Sequence, residues 1–273
     1  MSLLDLLMDQ VEHEILKPPF GYPGGKSKSV GRIIPHLPDS KVYVEVFGGS
    51  AAVLLAKKPT KLDVYNDRHA GVTAFYQCLR DPKKTERLHD WLELTVHSRE
   101  DWLICRDTWQ DCEDPVERAA RWYYMTAYSF ASLGRSFGCD IKPPNSVSGK
   151  IRNNIKRFGA IHQRFKRVVV ENKSWEYLLD KYDSTDTVFY LDPPYVDSQH
   201  GSYKYTMSHD DHRRLIRAAL ACKGYVAISG YTNPVYENQD WDQRVEWESV
   251  SLLDGCVHDN KIPITKEVLW LKH

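Results

Sequence analysis

The chain alternates short apolar strands with helical segments, and this alternation limits its possible folds more than any other feature of the sequence. Residues 41–47 are rich in β-branched and aromatic side chains, and they end at Gly48-Gly49-Ser50 before a helical pattern over 51–58. A second apolar run, 62–65, ends at Asn66-Asp67 and is again followed by a helical pattern. Strands that alternate with helices predict an α/β fold on a parallel sheet.

The pattern returns in the second half of the chain. Apolar strands are predicted at 168–170, 187–191 and 225–229. The last two strands, 245–253 and 267–271, alternate polar and apolar residues around a turn at Asp254-Gly255, which predicts an antiparallel pair. We therefore expect a mixed sheet.

The segment between the two halves has a different character. Residues 81–118 carry eleven acidic and six basic residues, whereas 141–170 carry eight Lys or Arg and no acid. We predict a core domain formed by residues 1–82 and 166–273, with a mainly helical domain inserted at 83–165.

Composition excludes several classes of protein. The apolar share of 42% is that of a globular chain, and 37 basic residues balance 37 acidic ones, so net charge does not favour a nucleic-acid partner. The six cysteines form no Cys-x-x-Cys pair, which argues against structural zinc and disulfides and favours the cytoplasm. Acids interrupt the apolar residues at 3–15, so we expect an amphipathic helix there and neither a membrane span nor a signal peptide.

Asp192-Pro193-Pro194-Tyr195 directly follows an apolar strand, where open α/β sheets bind their ligands. The prolines stiffen the loop and offer carbonyl oxygens without N–H groups. An exocyclic base amine becomes nucleophilic when acceptors on its N–H bonds free its lone pair. Asp192 and the Pro193 carbonyl are candidates for this role, and Tyr195 offers a face on which an extruded base can stack.

Glycines after the first strand predict a nucleoside-binding loop. In Glu45-Val46-Phe47-Gly48-Gly49-Ser50 the glycines let a ligand approach the backbone at the start of the next helix. Asp67 lies 18 residues past Gly49, near the spacing at which an acid binds ribose hydroxyls. This pair alone would equally suit a dinucleotide-dependent dehydrogenase.

A third loop, residues 20–27, reads Phe-Gly-Tyr-Pro-Gly-Gly-Lys-Ser. A phosphate-binding loop would require glycine at position 20, where the chain has Phe20. A nucleoside triphosphatase is therefore disfavoured.

In their order along the chain, 20–27, 45–50 and 192–195, these three loops resemble those of the adenine-N6 DNA methyltransferases of the Dam-like D12 class. The resemblance extends to Ser229-Gly230-Tyr231 and to Glu267-Val268-Leu269-Trp270. It implies a Rossmann-like methyltransferase fold, S-adenosylmethionine as cofactor, double-stranded DNA as partner and transfer of the methyl group to a flipped adenine. It assigns a catalytic domain at 1–82 and 166–273, and a target-recognition domain at 83–165.

The resemblance also assigns roles to individual residues. Asp192, Pro193, Pro194 and Tyr195 would be catalytic. Asp67 would bind the ribose, Tyr22 and Lys26 would lie near the methionine end, and Ser174 and Trp175 would frame the adenine of the cofactor. The full set of expected cofactor residues is Tyr22, Gly24, Gly25, Lys26, Glu45, Phe47, Gly48, Gly49, Ser50, Asp67, Ser174, Trp175 and Asp192.

Residues 141–170, called here the basic run, contain no acid over thirty residues. This favours the interpretation that they contact DNA phosphates over the interpretation that they form a solvated surface. The candidate DNA-binding residues are Lys142, Lys150, Arg152, Lys156 and Arg157. The aromatic residues Trp122, Tyr123, Tyr124, Tyr128 and Phe130 are assigned to the core of the insertion rather than to base stacking. No metal site is expected, since the pattern around His209 and His212 is typical of the solvated start of a helix.

Three other functions stay open at this stage. The same catalytic loop suits an adenine-N6 methyltransferase acting on RNA, because the insertion decides which polymer is bound. A dinucleotide-dependent dehydrogenase leaves Asp192–Tyr195 unexplained, and a non-catalytic DNA-binding module leaves Asp67 and Asp192 without a role. A DNA methyltransferase of this kind can accompany a restriction nuclease, belong to a phage or act alone.

Overall fold

A seven-stranded mixed sheet forms the centre of the protein. The computed structural model describes residues 15–139, 147–196, 206–250 and 264–273. The strands are β1 Val42–Glu45, β2 Leu62–Asn66, β3 Val168–Glu171, β4 Thr187–Leu191, β5 Tyr225–Tyr231, β6 Gln243–Val250 and β7 Ile264–Lys272. They lie in the order β3-β2-β1-β4-β5-β7-β6, with β7 antiparallel to both of its neighbours. The predicted α/β fold and mixed sheet are confirmed.

The central strands pair in parallel and are buried. Val44 of β1 pairs with Val64 on one side and with Phe189 on the other, and all three side chains are fully buried. This explains why these strands form continuous apolar runs in the sequence, since both faces of a parallel sheet are covered. The switch in strand order between β1 and β4 opens a crevice at their carboxyl ends.

The last two strands form the predicted antiparallel pair, which we call the hairpin. The strands do not follow their chain order in the sheet. β7 lies inside, between β5 and β6, so that β6 becomes the edge strand. The turn predicted at Asp254-Gly255 lies outside the described residues, as does most of the helix predicted at 3–15.

Eleven α-helices are described in these parts of the chain. They are α1 Val30–Ile33, α2 Ala52–Ala56, α3 Ala70–Leu79, α4 Pro82–Glu93, α5 Arg99–Thr108, α6 Pro115–Ala127, α7 Val147–Ile155, α8 Phe158–Phe165, α9 Trp175–Tyr182, α10 His209–Ala221 and α11 Pro234–Glu237. Short 3₁₀ turns occur at Lys26–Lys28, Ile34–His36 and Phe130–Ser132. Residues of α9, α10 and α11 pack on one face of the sheet, and residues of α2 to α8 pack on the other.

The chain between β2 and β3 is mainly helical, as predicted. Its helices pack against residues of the sheet. The ring of Tyr123 stacks on Phe75 at 5.2 Å, and the ring of Phe165 stacks on Tyr76 at 4.3 Å. These contacts join α6 and α8 to α3 in one continuous apolar cluster that also contains Tyr43 of β1. Residues 83–165 thus form a continuous segment of the chain that shares its apolar core with the sheet. The domain boundaries at 83 and 165 remain a prediction.

Candidate active site

A cavity of about 260 Å³ lies at the carboxyl ends of β1, β2 and β4. It brings together loops that are far apart in the sequence. The residues predicted to bind a cofactor that line it are Tyr22, Gly24, Gly25, Lys26, Glu45, Phe47, Gly48, Gly49, Ser50, Asp67, Trp175 and Asp192. The hydroxyl of Ser174, the remaining member of the set, instead caps α9 by accepting from Tyr177 N at 3.4 Å.

The glycine loop after β1 is held closely by tyrosines from neighbouring elements. A Cβ atom at Gly48 would lie 2.2 Å from the ring of Tyr65, and Gly49 has a φ of +49°. The Tyr65 hydroxyl donates to Gly49 O at 2.6 Å, and the Tyr76 hydroxyl donates to Ser50 O at 2.7 Å. The glycines are therefore required by the close packing of the loop as well as by its backbone conformation.

Asp67, which directly follows β2, is fastened to this loop. Its two carboxylate oxygens accept from the backbone N–H groups of Gly49 at 2.8 Å and His69 at 2.7 Å. Burial nevertheless raises the pKa of Asp67 to about 6. Asp67 also lines the large cavity, where its carboxylate can accept from a further donor.

Asn66 is a structural residue of the site that the sequence analysis did not identify. Its amide nitrogen donates to Val46 O at 2.8 Å, and its amide oxygen accepts from Lys173 N at 2.8 Å. The side chain therefore ties the ends of β1, β2 and β3 together.

Glu45, the last residue of β1, lines the cavity but is almost fully buried. The Tyr43 hydroxyl donates to its carboxylate at 2.8 Å. Burial raises the pKa of Glu45 to about 8, because the hydrogen bond from Tyr43 only partly offsets the loss of solvation.

Asp192 receives two hydrogen bonds that fix its orientation. Lys26 Nζ lies 2.8 Å from its Oδ1 atom, and the Ser229 hydroxyl donates to the same atom at 2.9 Å. Burial raises the pKa of Asp192, while Lys26 and Ser229 act in the opposite direction. Ser229 belongs to one of the matching sequence segments, but its contact with Asp192 was not predicted.

Successive residues of the loop after β4 line two different cavities in turn. Asp192 and Pro194 line the large cavity, whereas Pro193 and Tyr195 line a second cavity of about 30 Å³ together with Tyr231 of β5. The rings of Tyr195 and Tyr231 lie 4.3 Å apart at an angle of 57°. The loop thus lies between the two cavities.

Lys26 connects the N-terminal loop to the loop that follows β4. Its ammonium group donates to Gly24 O at 3.0 Å and to the Tyr195 hydroxyl at 2.6 Å, in addition to its contact with Asp192. The side chain is 3% exposed, so it is held inside the site rather than at its entrance.

The comparisons with known proteins decide the family. The sequence profile of the D12 class N6 adenine-specific DNA methyltransferases matches residues 22–246, which is most of the chain. The chain belongs to this family. It is therefore an adenine-specific DNA methyltransferase, and S-adenosylmethionine is the methyl donor that the family uses in general.

Two relatives carry names in agreement with this conclusion. The methyltransferase is 24% identical over 240 residues to the type II methyltransferase M.CviBI of Paramecium bursaria Chlorella virus NC1A, with 85% of this chain and 90% of the relative aligned. It is 25% identical over 201 residues to the modification methylase StsI of Streptococcus sanguinis, and it spans 30% of that longer protein. A solved precorrin-8w decarboxylase from Methanobacterium thermoautotrophicum aligns over 94% of this chain and 99% of its own with a TM-score of 0.37 and 11% identity, a likeness too weak to bear on function.

The residues predicted to bind DNA lie in and around α7 of the methyltransferase. Arg152 and Lys156 are exposed, and neither makes an ion pair within the described residues. Arg157 is partly buried and donates to Asn154 Oδ1 at 3.1 Å. Lys142 and the side chain of Lys150 lie outside the described residues.

Arg164, which the charge count of the sequence groups with this run, belongs to the protein core. It is 7% exposed, and its guanidinium lies 2.8 Å from the carboxylate of Asp63 and donates to Leu54 O at 3.2 Å. The exposed part of the basic run is therefore shorter than its composition indicates.

Two interpretations of single residues were wrong. Phe130 is 71% exposed rather than part of the core, unlike the buried Trp122, Tyr123, Tyr124 and Tyr128. His212 is fully buried rather than solvated, and its Nδ1 atom lies 2.7 Å from the Tyr236 hydroxyl. His212 is buried because it lies on the face of α10 that packs against α11, among apolar side chains.

The described ranges contain no candidate for a membrane span or for a metal site. No helix there is long and apolar enough to cross a bilayer. No group of three or more His, Cys, Asp or Glu side chains there is arranged to hold a metal ion.

Proposed function

We propose that the methyltransferase binds S-adenosylmethionine in the large cavity and holds a flipped adenine of duplex DNA beside Asp192, Pro193 and Tyr195. The observation that carries this proposal is the position of the loop after β4. It presents Asp192 to one cavity and Tyr195 to the other, so that a methyl donor and an acceptor base would meet across a single carboxylate.

The residues of the large cavity fit the cofactor. Gly48 and Gly49 let a ligand lie against the backbone, and Asp67 offers oxygens suited to two adjacent ribose hydroxyls. The buried carboxylate of Asp192 favours a positively charged ligand, and Glu45 lines the same cavity. When bound, the cofactor supplies an electrophilic methyl group on a sulfonium.

Asp192 and the Pro193 carbonyl would activate the target amine. Each accepts one N–H bond of the adenine amine, which localises the nitrogen lone pair for attack on the methyl carbon. Because burial raises the pKa of Asp192, its carboxylate is a better proton acceptor than an exposed aspartate. As the new C–N bond forms, the bond between the methyl carbon and the sulfur would break with its electron pair left on sulfur. The amine proton would then pass to Asp192 and on to solvent.

The aromatic rings of the second cavity would grip the base. Base stacking on an aromatic side chain contributes about 1–3 kcal/mol, which offsets part of the cost of extrusion. Tyr195 and Tyr231 supply such rings, and the exposed Phe130 offers another near the N-terminal loop, where Ser132 packs on Gly21. The exposed Arg152 of α7 and the exposed Lys156 directly after it would contact phosphates.

A methyl-transfer assay on matched substrates tests the catalytic part of this proposal. Wild-type enzyme is incubated with methyl-labelled S-adenosylmethionine and either duplex DNA or structured RNA, and the nucleosides are separated after digestion. We expect label in N6-methyldeoxyadenosine and none above background for Asp192→Asn. The control is Asp186→Asn, an exposed aspartate just before β4, which should retain wild-type turnover. Activity in Asp192→Asn, or label confined to RNA, would overturn the proposal.

Calorimetry tests the cofactor site separately. Asp67→Asn replaces one acceptor oxygen by a donor, so we expect the dissociation constant for S-adenosylmethionine to rise about tenfold or more, in line with the cost of roughly 1–3 kcal/mol for an unpaired buried group. An unchanged dissociation constant would remove Asp67 from the cofactor site.

A further inference from the structure

Glu267 joins the two sides of the active site from a strand that is remote from the catalytic loop in sequence. It lies on β7, where its backbone pairs with Tyr231 of β5 and with Trp247 of β6. The residue is 6% exposed. Its carboxylate is therefore enclosed between the hairpin and the two loops that carry Lys26 and Tyr195.

The two oxygens of this carboxylate have different partners. Oε2 accepts from the Ser29 hydroxyl at 2.8 Å and from the Trp247 indole nitrogen at 3.0 Å. Oε1 accepts from the Tyr195 hydroxyl at 3.2 Å and lies 3.6 Å from Lys26 Nζ. One oxygen thus anchors the group to the scaffold, and the other holds the active-site side chains.

We propose that Glu267 is a positioning residue for methyl transfer, holding Tyr195 and Lys26, and through Lys26 the carboxylate of Asp192, in their working orientation. The proposal rests on the assignment of Asp192–Tyr195 as the catalytic loop. It follows from the direction of the hydrogen bonds. Lys26 donates to Asp192 and to the Tyr195 oxygen, and the Tyr195 proton is then donated to Glu267.

A carboxylate is required at this position because donors converge on both of its oxygens. A glutamine accepts at one end and donates at the other. Its NH₂ group would therefore face either Ser29 and Trp247 or Tyr195 and Lys26. In the first case the anchor is broken, and in the second the ring of Tyr195 and the ammonium of Lys26 are pushed from their places.

A buried acid at this position also has a cost. Burying a carboxylate is unfavourable unless it is paired and hydrogen-bonded, and a hairpin can be closed with apolar side chains instead. The neighbouring residues of β7, Val268 and Leu269, are of this apolar kind. A function in the site explains why a buried acid stands between the strands at Glu267.

Steady-state kinetics on three single variants test the proposal. They are Glu267→Gln, Glu246→Gln and Asp192→Asn, all measured with duplex DNA at a temperature where circular dichroism shows them folded. Glu246 is the matched control because it lies on the same hairpin but pairs with Arg244 and Lys266 at the surface. We expect Glu267→Gln to lower kcat by roughly 10-fold to 100-fold, as misplaced catalytic groups do, and to change KM for the cofactor by less than about threefold.

A second comparison separates positioning from a structural role. In the Tyr195→Phe background the hydroxyl that links Tyr195 to Glu267 is already absent, so Glu267→Gln should lower kcat by a clearly smaller factor there than in the wild type. Equal factors in kcat in the two backgrounds would mean that Glu267 only supports the hairpin, and would overturn the proposal.

The outcomes distinguish this inference from the proposed function. If Asp192→Asn retains activity, the catalytic loop itself is misassigned. If Asp192→Asn is inactive while Glu267→Gln matches Glu246→Gln, the inference about Glu267 alone is wrong. Should Glu267→Gln fail to fold, Ser29→Ala removes one anchor and keeps the carboxylate, and we expect kcat to fall about threefold or more. A wild-type kcat for Ser29→Ala would then overturn the inference.

Discussion

The three carboxylates of the cavity differ in their partners, and these partners set their properties. Asp192 is bound by the cation of Lys26 and the hydroxyl of Ser229, Asp67 by two backbone N–H groups, and Glu45 by the hydroxyl of Tyr43. Burial raises the pKa of all three, and the effect brings that of Glu45 to about 8. Groups with such different surroundings can serve separate roles in one cavity.

The raised pKa of Glu45 predicts how stability depends on pH. Its ordinary pKa of 4.5 applies in the unfolded chain, and the value is about 8 in the folded protein. The folded state therefore binds the proton more tightly, and this residue makes the free energy of unfolding fall as the pH rises from about 4.5 to about 8. Glu45→Gln lacks this contribution.

Thermal unfolding of wild type and Glu45→Gln across this pH range measures the effect. We expect the midpoint of the wild type to fall relative to that of the variant as the pH rises. A constant difference between the two midpoints would show that Glu45 titrates alike in the folded and unfolded chain.

At the scale of elements, the loop between β1 and α2 depends on glycine where other segments do not. A methyl group at Gly48 would overlap the ring of Tyr65, whereas one at Gly31 in α1 would meet nothing within 4 Å. We expect Gly48→Ala to destabilise the protein by roughly 1–3 kcal/mol and to weaken cofactor binding, because Tyr65 must move. Gly31→Ala should be neutral or stabilising by about 0.5–1 kcal/mol.

Denaturant titration and calorimetry with S-adenosylmethionine compare these two variants directly. Equal effects of Gly48→Ala and Gly31→Ala on both measurements would mean that the loop tolerates a side chain, contrary to its packing.

Helix α7 and the residues that follow it are expected to supply much of the affinity for DNA through exposed cations. Lys156→Glu should weaken binding to cognate and non-cognate duplexes alike. It should also flatten the plot of log affinity against log salt by about 0.9 for each phosphate that the variant no longer neutralises. The matched control is Lys61→Glu. Lys61 is an exposed lysine just before the amino end of β2, whereas the cavity lies at the carboxyl ends of the strands. Fluorescence anisotropy at several salt concentrations measures both slopes, and equal slopes would show that Lys156 only faces solvent.

At the scale of the whole molecule, the helical segment and the sheet should unfold together. Trp102 and Trp122 report on the helices and Trp247 and Trp270 on the sheet, and all four are buried. Because the helices share an apolar cluster with the sheet, we expect tryptophan fluorescence and far-UV circular dichroism to follow one denaturant transition. Two separated transitions would mean that the insertion folds as an independent domain.

The strands, their mixed arrangement and the residues around the cavity could be predicted because their signals are local. An apolar run that ends in glycine or aspartate is visible within a short stretch of sequence, as at Gly48 and Asp192. Glu267 could not be assigned a role in this way, since its partners Ser29 and Tyr195 are 238 and 72 residues away. Arg164 was grouped with exposed cations because composition does not show that Asp63 neutralises it inside the core.

The central claim is that this chain methylates adenine in DNA with Asp192 as the group that activates the amine. Sequencing that detects N6-methyladenine tests it most directly, in genomic DNA from cells that lack adenine methylation and express either the wild type or Asp192→Asn. We expect methyladenine in one short sequence context with the wild type and only background with the variant. Unmodified DNA with the wild type, or equal modification with Asp192→Asn, would contradict the claim.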